Sequence, residues 1–188
     1  VIYKNDKVVY DFPILTEDIL EVLDIAQGTD FNVGMVGIDD EAVNYWDERV
    51  GYGMKTLRGI FPKVDENFHL NNKIYQLWIF ADDEFRIMEL AKDIKKFQVY
   101  PWHKGGADFI YPNTNKSFGI KKAIENETDY QLICVGDGAN DVKMIEMADI
   151  GIAMSNTRFE ELKEKAKHLA PHIKEDQLYD FFKSINLI

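Results

Sequence analysis

The stretch Gln131 to Asn156, QLICVGDGANDVKMIEMADIGIAMSN, constrains the fold more than any other part of the chain. Leu132 to Val135 is apolar without the alternation of a half-buried strand, which predicts burial on both faces, as in a parallel sheet covered by helices. A helical segment, NDVKMIEMA, and a second apolar strand, IGIAMS, follow at once. Open parallel sheets bind ligands just beyond the C-terminal ends of their strands, where helix N-termini also point. Asp137 is the second residue past the first apolar run, between Gly136 and Gly138. A carboxylate fixed there is placed to hold a hard cation such as Mg2+, with the two glycines letting the backbone turn tightly. Asn140 and Asp141 then open the next helix, where they cap it, contact an anion or organise metal-bound water. The residues alone leave these three roles open. An isolated Gly-Asp-Gly is equally a turn chosen for its geometry, and it is the whole string that points to function.

The remainder of the chain changes style near Pro112. Before it, VIYKNDKVVYDF alternates like a hairpin with Asn5-Asp6 at its turn, and Pro13 breaks the strand. Thr16 is the expected N-cap of a helix over EDILEVLDIAQG, with Gly28 past its end. FNVGMVGI and NKIYQLWIFA read as strands. The segment DDEAVNYWDERVGYGMKTLRGIFPKVD is ambiguous between a strand at Ala42 to Trp46 and a helix from Glu48 onward. DDEFRIMELAKDIKKF predicts a helix capped by Asp82 or Asp83, with Phe85, Met88, Ala91 and Ile94 on its apolar face. Two further strands flank Lys104-Gly105-Gly106. This is the pattern of an α+β layer. After Pro112, NTNKSFGIKKAIENE is a polar loop opening a helix, and TRFEELKEKAKHLA and EDQLYDFFKSI predict two more helices behind the parallel strands.

Composition narrows the partners. The formal charge of 22 − 33 = −11 repels nucleic acid and anionic lipid, and no Lys/Arg run overturns it locally. Cys134 is the one cysteine and lies in an apolar run, as a small buried hydrophobe would in a reducing compartment, so a cytoplasmic location is expected. No apolar stretch approaches the roughly 18 residues of a membrane span. Trp46, Tyr45, Trp102 and His103 lie beside predicted turns or strand ends, where an aromatic can stack on a sugar ring. The simpler reading makes them ordinary core and surface aromatics. Arg86 and the Lys95-Lys96 pair read as a solvated helix face.

The string from Val135 to Met154 resembles the fourth motif of haloacid-dehalogenase-like phosphohydrolases, especially their Cof-type sugar-phosphatase branch. In that family a lysine precedes the acidic motif at the start of a helix after a short polar loop, and NTNKSFGI supplies Lys116 at that place. The resemblance implies an α/β fold. Its Rossmannoid parallel sheet core is incomplete at the N-terminus and carries an inserted α+β cap of the C2 type. It divides the chain into residues 1–12, a hairpin remnant of the core; 13–112, the cap; and 113–188, the C-terminal half of the core. It implies Mg2+ as cofactor and a small phosphorylated metabolite as substrate. Lys116 and Asp137 become the catalytic pair, Lys116 and Asn140 the phosphate ligands, and Asp137 the metal ligand. Asp141 serves the metal from a second shell or through water.

The resemblance also exposes a departure. The family's nucleophile is the first Asp of an Asp-x-Asp motif near the N-terminus, and none of the 19 aspartates here is spaced that way from another. Both that motif and the Ser/Thr phosphate ligand after it are expected before Val1, so the 188 residues alone are expected not to turn over. The core half is then expected to be unstable, or completed by the missing segment or by a second copy. A segment near the C-terminus, HIKEDQLYDFF, only weakly echoes the family pattern. The alternative from another class is a non-catalytic binding or regulatory module that keeps the fold.

Overall fold

The computed structural model describes residues 1–56, 61–112 and 114–188. Residues 57–60 of the ambiguous segment and Asn113, first residue of the expected core half, lie outside the described residues. Backbone contacts divide the chain into one unit of Val1 and Tyr3–Asn113 and another of Ile2 and Thr114–Ile188. No helix among the described residues is long and apolar enough to cross a membrane.

β1 (Ile2–Lys4) and β2 (Lys7–Tyr10) form the expected hairpin. Asn5 and Asp6 at its turn have φ of 50° and 59°, the left-handed pair that a two-residue turn between twisted strands requires. The first unit continues with α1 (Thr16–Ala26), β3 (Asn32–Val36), β4 (Glu41–Val43), α2 (Glu48–Gly53), β5 (Lys63–Val64), β6 (Gln76–Phe80), α3 (Glu84–Asp93), β7 (Gln98–His103) and β8 (Gly106–Ile110). Strands β3 to β8 make one sheet in the order β5-β4-β3-β6-β8-β7, antiparallel except for the short β4-β5 pair. Side chains alternate across it. Val33, Met35, Leu77, Ile79, Ala107 and Phe109 face α1 and α3, which add Ile19, Val22, Ile87, Leu90 and Ile94 to the main core.

One ambiguity is resolved and two local expectations are corrected. The ambiguous segment holds both a strand and a helix, because the Asp47 carboxylate accepts from the Arg49 and Val50 amides and so starts α2 just after β4 ends. In α3 the buried side chains are Ile87 and Leu90, with the expected Ile94 buried just past the helix end, while Phe85 is 73% exposed and Met88 42%. Ile87 is already as far inside as the stripe allows, and the stripe is set by the sheet beneath, not by the largest residues. Thr16 is the first helical residue and not the cap: Leu15 occupies that position without a side-chain bond.

The second unit comprises α4 (Lys116–Ala123), β9 (Ile133–Gly136), α5 (Val142–Met147), β10 (Ile150–Met154), α6 (Glu160–Lys165), β11 (His168–Ala170) and α7 (Leu178–Ser184). Its three strands are parallel, in the order β11-β10-β9, so the sequence segment read as one helix ends in a third strand. Helices α4, α5 and α6 bury Cys134 and Ala153 on one side of the sheet, and α7 packs beneath Ile152, Met154 and Ala170 on the other. β10 is therefore covered on both faces, as expected. β9 is not: it is an edge strand among the described residues, and Ile133 and Val135 remain 40% and 39% exposed because α7 packs on β10 and β11. The second unit is thus the α/β arrangement with helices on both sides of a parallel sheet, and the first is an α+β layer.

Candidate functional site

The site begins with the start of α4. The Asn115 side chain accepts from the Phe118 amide at 3.0 Å and from the Ser117 hydroxyl at 2.6 Å, which fixes the first turn. Lys116 is the first helical residue, and its Nζ donates to Asp141 Oδ1 at 2.5 Å. The lysine side chain is half exposed and the aspartate almost completely enclosed. The other carboxylate oxygen, Oδ2, accepts from the backbone amides of Asp137 and Gly138, each at 3.0 Å. One buried anion thus receives a cation and two amides, the condition under which a carboxylate tolerates burial.

Asp141 ties together the end of β9, the turn after it and the start of α4. A 3-10 turn over Ala139–Asp141 lifts the chain into α5, and Asp141 makes no cap bond to that helix. Its carboxylate reaches backwards instead. The glycines answer to this arrangement and not to backbone freedom, for Gly28 is the one glycine with positive φ among the described residues. A Cβ on Gly136 would lie 2.6 Å from Asp141 Cβ and 2.7 Å from its Oδ2, so the first glycine is the seat of the clamp. Gly138 has an extended backbone, and a Cβ there would meet the Asn140 amide oxygen.

Asp137 itself is exposed at the strand tip. Its Oδ2 accepts from Asn156 Nδ2 at 3.2 Å. Asn156 Oδ1 is buried and has no hydrogen-bond partner, an unsatisfied oxygen beside the Asp137 carboxylate. Asn140 is exposed, and its side chain has no hydrogen bond among the described residues. The four residues singled out from sequence thus fall at one end of the parallel sheet. Lys116, Asp137 and Asp141 are bonded into one network, with Lys116 and Asp137 joined through Asp141 and not to each other. Asn140 stands beside them unattached.

Asn156 was not singled out from the sequence, although a signal was present. It stands two residues beyond the end of β10, where the strand-end argument that selected Asp137 applies equally. Cys134 is a core residue: burial, with the nearby Asp141 charge, pushes its thiol up, away from reactivity.

The donor set suits Mg2+. This ion demands oxygen ligands, keeps several waters and is commonly held by one or two carboxylates together with substrate phosphate. Asp137 offers an exposed carboxylate, and the orphaned Asn156 oxygen lies at its side. Asp141 has both oxygens engaged, one by Lys116 and the other by the two turn amides.

Comparison with known proteins places the chain among relatives. A family model described as haloacid dehalogenase-like hydrolase matches residues 1–182. The Bacillus subtilis (strain 168) protein YkrA, whose name gives it provisionally as a phosphatase, is 29% identical over 192 residues, covering the whole of this chain and 73% of that protein. A phosphatase of the haloalkanoate superfamily from Bacteroides thetaiotaomicron superposes with a TM-score of 0.86 at 22% identity, over 100% of this chain and 70% of that one. The structure of a subclass IIB sugar phosphatase superposes with a TM-score of 0.81 at 22% identity, over 99% of this chain and 72% of that one.

Proposed function

The chain belongs to the haloacid dehalogenase-like hydrolases, and from that premise we propose that its protein is a Mg2+-dependent phosphatase acting on small phosphorylated metabolites such as sugar phosphates. The observation that carries the reading is the Asp141 clamp, which brings Lys116 and Asp137 to one end of the parallel sheet. In this reading residues 13–112 are the cap and residues 113–188 the C-terminal half of the core.

The roles follow from the bonds. Lys116 keeps a compact positive charge at the first turn of α4, where the helix end adds its own partial charge toward a phosphoryl oxygen. Asp137 holds the metal from its exposed carboxylate, and Mg2+ supplies charge neutralisation for the transferring group. Asp141 is a positioning residue, holding the Lys116 ammonium and the Asp137 backbone in fixed relation. Asn140 is free to contact a phosphate oxygen. The attacking carboxylate, which forms an aspartyl-phosphate, comes from sequence before Val1 in this reading.

The test is phosphate release by the full-length gene product from a panel of phosphorylated sugars, with Mg2+ and with chelator. Metal-dependent turnover that Asp137→Asn abolishes is the expected result. Turnover of none of the panel, by protein that melts cooperatively, would transfer the chain to the non-catalytic reading.

A further inference from the structure

α1 presents more than one apolar face. Ile19, Val22 and Ala26 are buried in the core of the first unit. Leu20, Leu23 and Asp24, three and four positions apart, lie together on another side of the helix and line a cavity of about 570 Å³, a size typical of small-molecule sites. The facing wall is the 3-10 turn Phe68–Leu70 and the residues before it. That wall is firmly held: Phe68 is buried in the core, its amide donates to the Asp65 carbonyl at 3.3 Å, and the Asp65 carboxylate accepts from the Asn67 amide at 3.0 Å. Glu66, His69 and Leu70 face the cavity from it. Leu20 and Leu70 remain exposed, so each wall carries apolar surface that the described chain leaves uncovered.

His69 is the unusual member of this lining. It is only 8% exposed, its Nδ1 is buried without a hydrogen-bond partner, and no hydrogen bond among the described residues holds its side chain. Buried polar atoms are normally paired, and a ring left unpaired is a cost to the fold. Two other histidines of this chain show the ordinary solution: His103 Nδ1 accepts from the Gly105 amide at 3.2 Å and His172 Nδ1 from the Lys174 amide at 3.0 Å. Asp24 and Glu66 are likewise unengaged, with no hydrogen bond or ion pair among the described residues. No described lysine or arginine lines the cavity. Its charged lining among the described residues is therefore two carboxylates, one on each wall, beside an imidazole on which the fold spends no bond.

From this juxtaposition we infer that the cavity between α1 and the 3-10 turn binds a primary alkylammonium, its stem laid against Leu20, Leu23 and Leu70 and its head presented to Asp24 and Glu66, with the His69 imidazole as a third acceptor. An ammonium carries three donors and no acceptor, which matches two carboxylates and an imidazole nitrogen. An anion is repelled by both carboxylates. A neutral aliphatic molecule covers the leucines but leaves the charged groups unanswered. A bare metal ion gains nothing from the leucines, and the described residues hold no group of three metal-ligating side chains. The site lies wholly within the first unit and does not depend on phosphoryl chemistry.

The test is isothermal titration calorimetry of the full-length protein with hexylammonium, ethylammonium, hexanol and hexanoate. Saturable binding of hexylammonium is expected. Ethylammonium should bind ~10-fold or more weakly, because four methylenes fewer are buried. Hexanol should also bind ~10-fold or more weakly, for want of the charged donor, and hexanoate should not saturate. The double variant Asp24→Asn, Glu66→Gln alters two exposed side chains and should weaken hexylammonium ~10-fold or more at an unchanged melting temperature. His69→Phe should weaken it as well, and if that variant does not fold the double variant decides alone. Absence of saturation by hexylammonium, equal affinity for hexanol, or unchanged affinity in the double variant would each overturn the proposal.

Discussion

Each unit of the molecule withdraws a carboxylate from solvent, Asp141 almost wholly and Asp108 in part, and the two are treated oppositely. Asp141 in the second unit is almost wholly enclosed and receives an ammonium and two backbone amides. Asp108 in the first receives only neutral donors among aromatic rings, and its carboxyl rises to about 6. A third aspartate shows that the difference is not one of unit: Asp18, also buried, is opposed by desolvation, yet bonds from Lys96 and Tyr111 hold it below the usual carboxylate range. What decides is the partner. A paired carboxylate organises the structure around it, whereas one left with neutral donors is kept at a cost to the fold.

The largest effect that could break this contrast is catalytic. If Asp141 serves to aim Lys116, then Lys116→Ala should lower turnover of the full-length protein by ~10²- to 10³-fold, the scale of losing one charged donor to a transferring group. Melting temperature should fall by less than in an Asp141 variant, since the enclosed carboxylate loses its cation but keeps its two backbone amides. Phosphate-release kinetics check the first and a thermal melt the second. A stability loss as large as that of an Asp141 variant would make the pair structural only.

Asp141→Ala should act on the fold itself. It leaves the Asp137 and Gly138 amides without their acceptor, and an ammonium without its partner, which together cost ~2–4 kcal/mol. Urea unfolding measures this directly. Asp108→Asn should move stability the other way. The folded carboxyl at about 6 lies above its ordinary value of 3.8, so the folded state binds the proton more tightly. Stability is then undiminished below the ordinary value and declines as pH rises through about 6, by up to ~3 kcal/mol once the group is ionised. The asparagine variant lacks that decline but also loses a charge-assisted bond from Trp102. It should therefore match the parent near pH 4 and exceed it by ~1–3 kcal/mol at pH 8. Equal stability of the two proteins across this range would remove the penalty assigned to Asp108.

The same contrast explains what could be read from the sequence. The parallel sheet, its strand tips and the residues at them were legible because Asp137, Asn140 and Asp141 lie within five positions of one another, and Lys116 opens the helix that precedes them. Their bonding was not legible. That Asp141 reaches back to two amides and across 25 positions to Lys116 depends on the space at Gly136, which a string of letters presents as turn chemistry. In the first unit the strands were legible from their alternation, yet the row Trp78, Asp108, Tyr100 joins three strands whose register no local pattern supplies. The α3 stripe failed for a related reason: Phe85 and Ile87 are both apolar, and only the sheet beneath chooses between them.

The smallest effect sharpens the comparison at the two helix starts. In the second unit Asn115 caps α4 by its own side chain, so Asn115→Ala should cost ~1 kcal/mol. In the first, Thr16 has the residue type of a cap but makes no cap bond. The Leu15 amide there donates to the Tyr111 hydroxyl at 3.0 Å, and that hydroxyl in turn donates to Asp18. The work of a cap is done by a tyrosine 96 positions away, which no local pattern announces. Thr16→Ala should therefore change stability by less than ~0.5 kcal/mol, as an ordinary surface substitution does. Tyr111→Phe should cost more, ~1–2 kcal/mol, because it removes both the acceptor for Leu15 and a donor to a buried carboxylate. Chemical denaturation of the three variants gives the order. If Thr16→Ala proved the costliest, α1 would be held by its own first turn and not by the tertiary contact assigned to it.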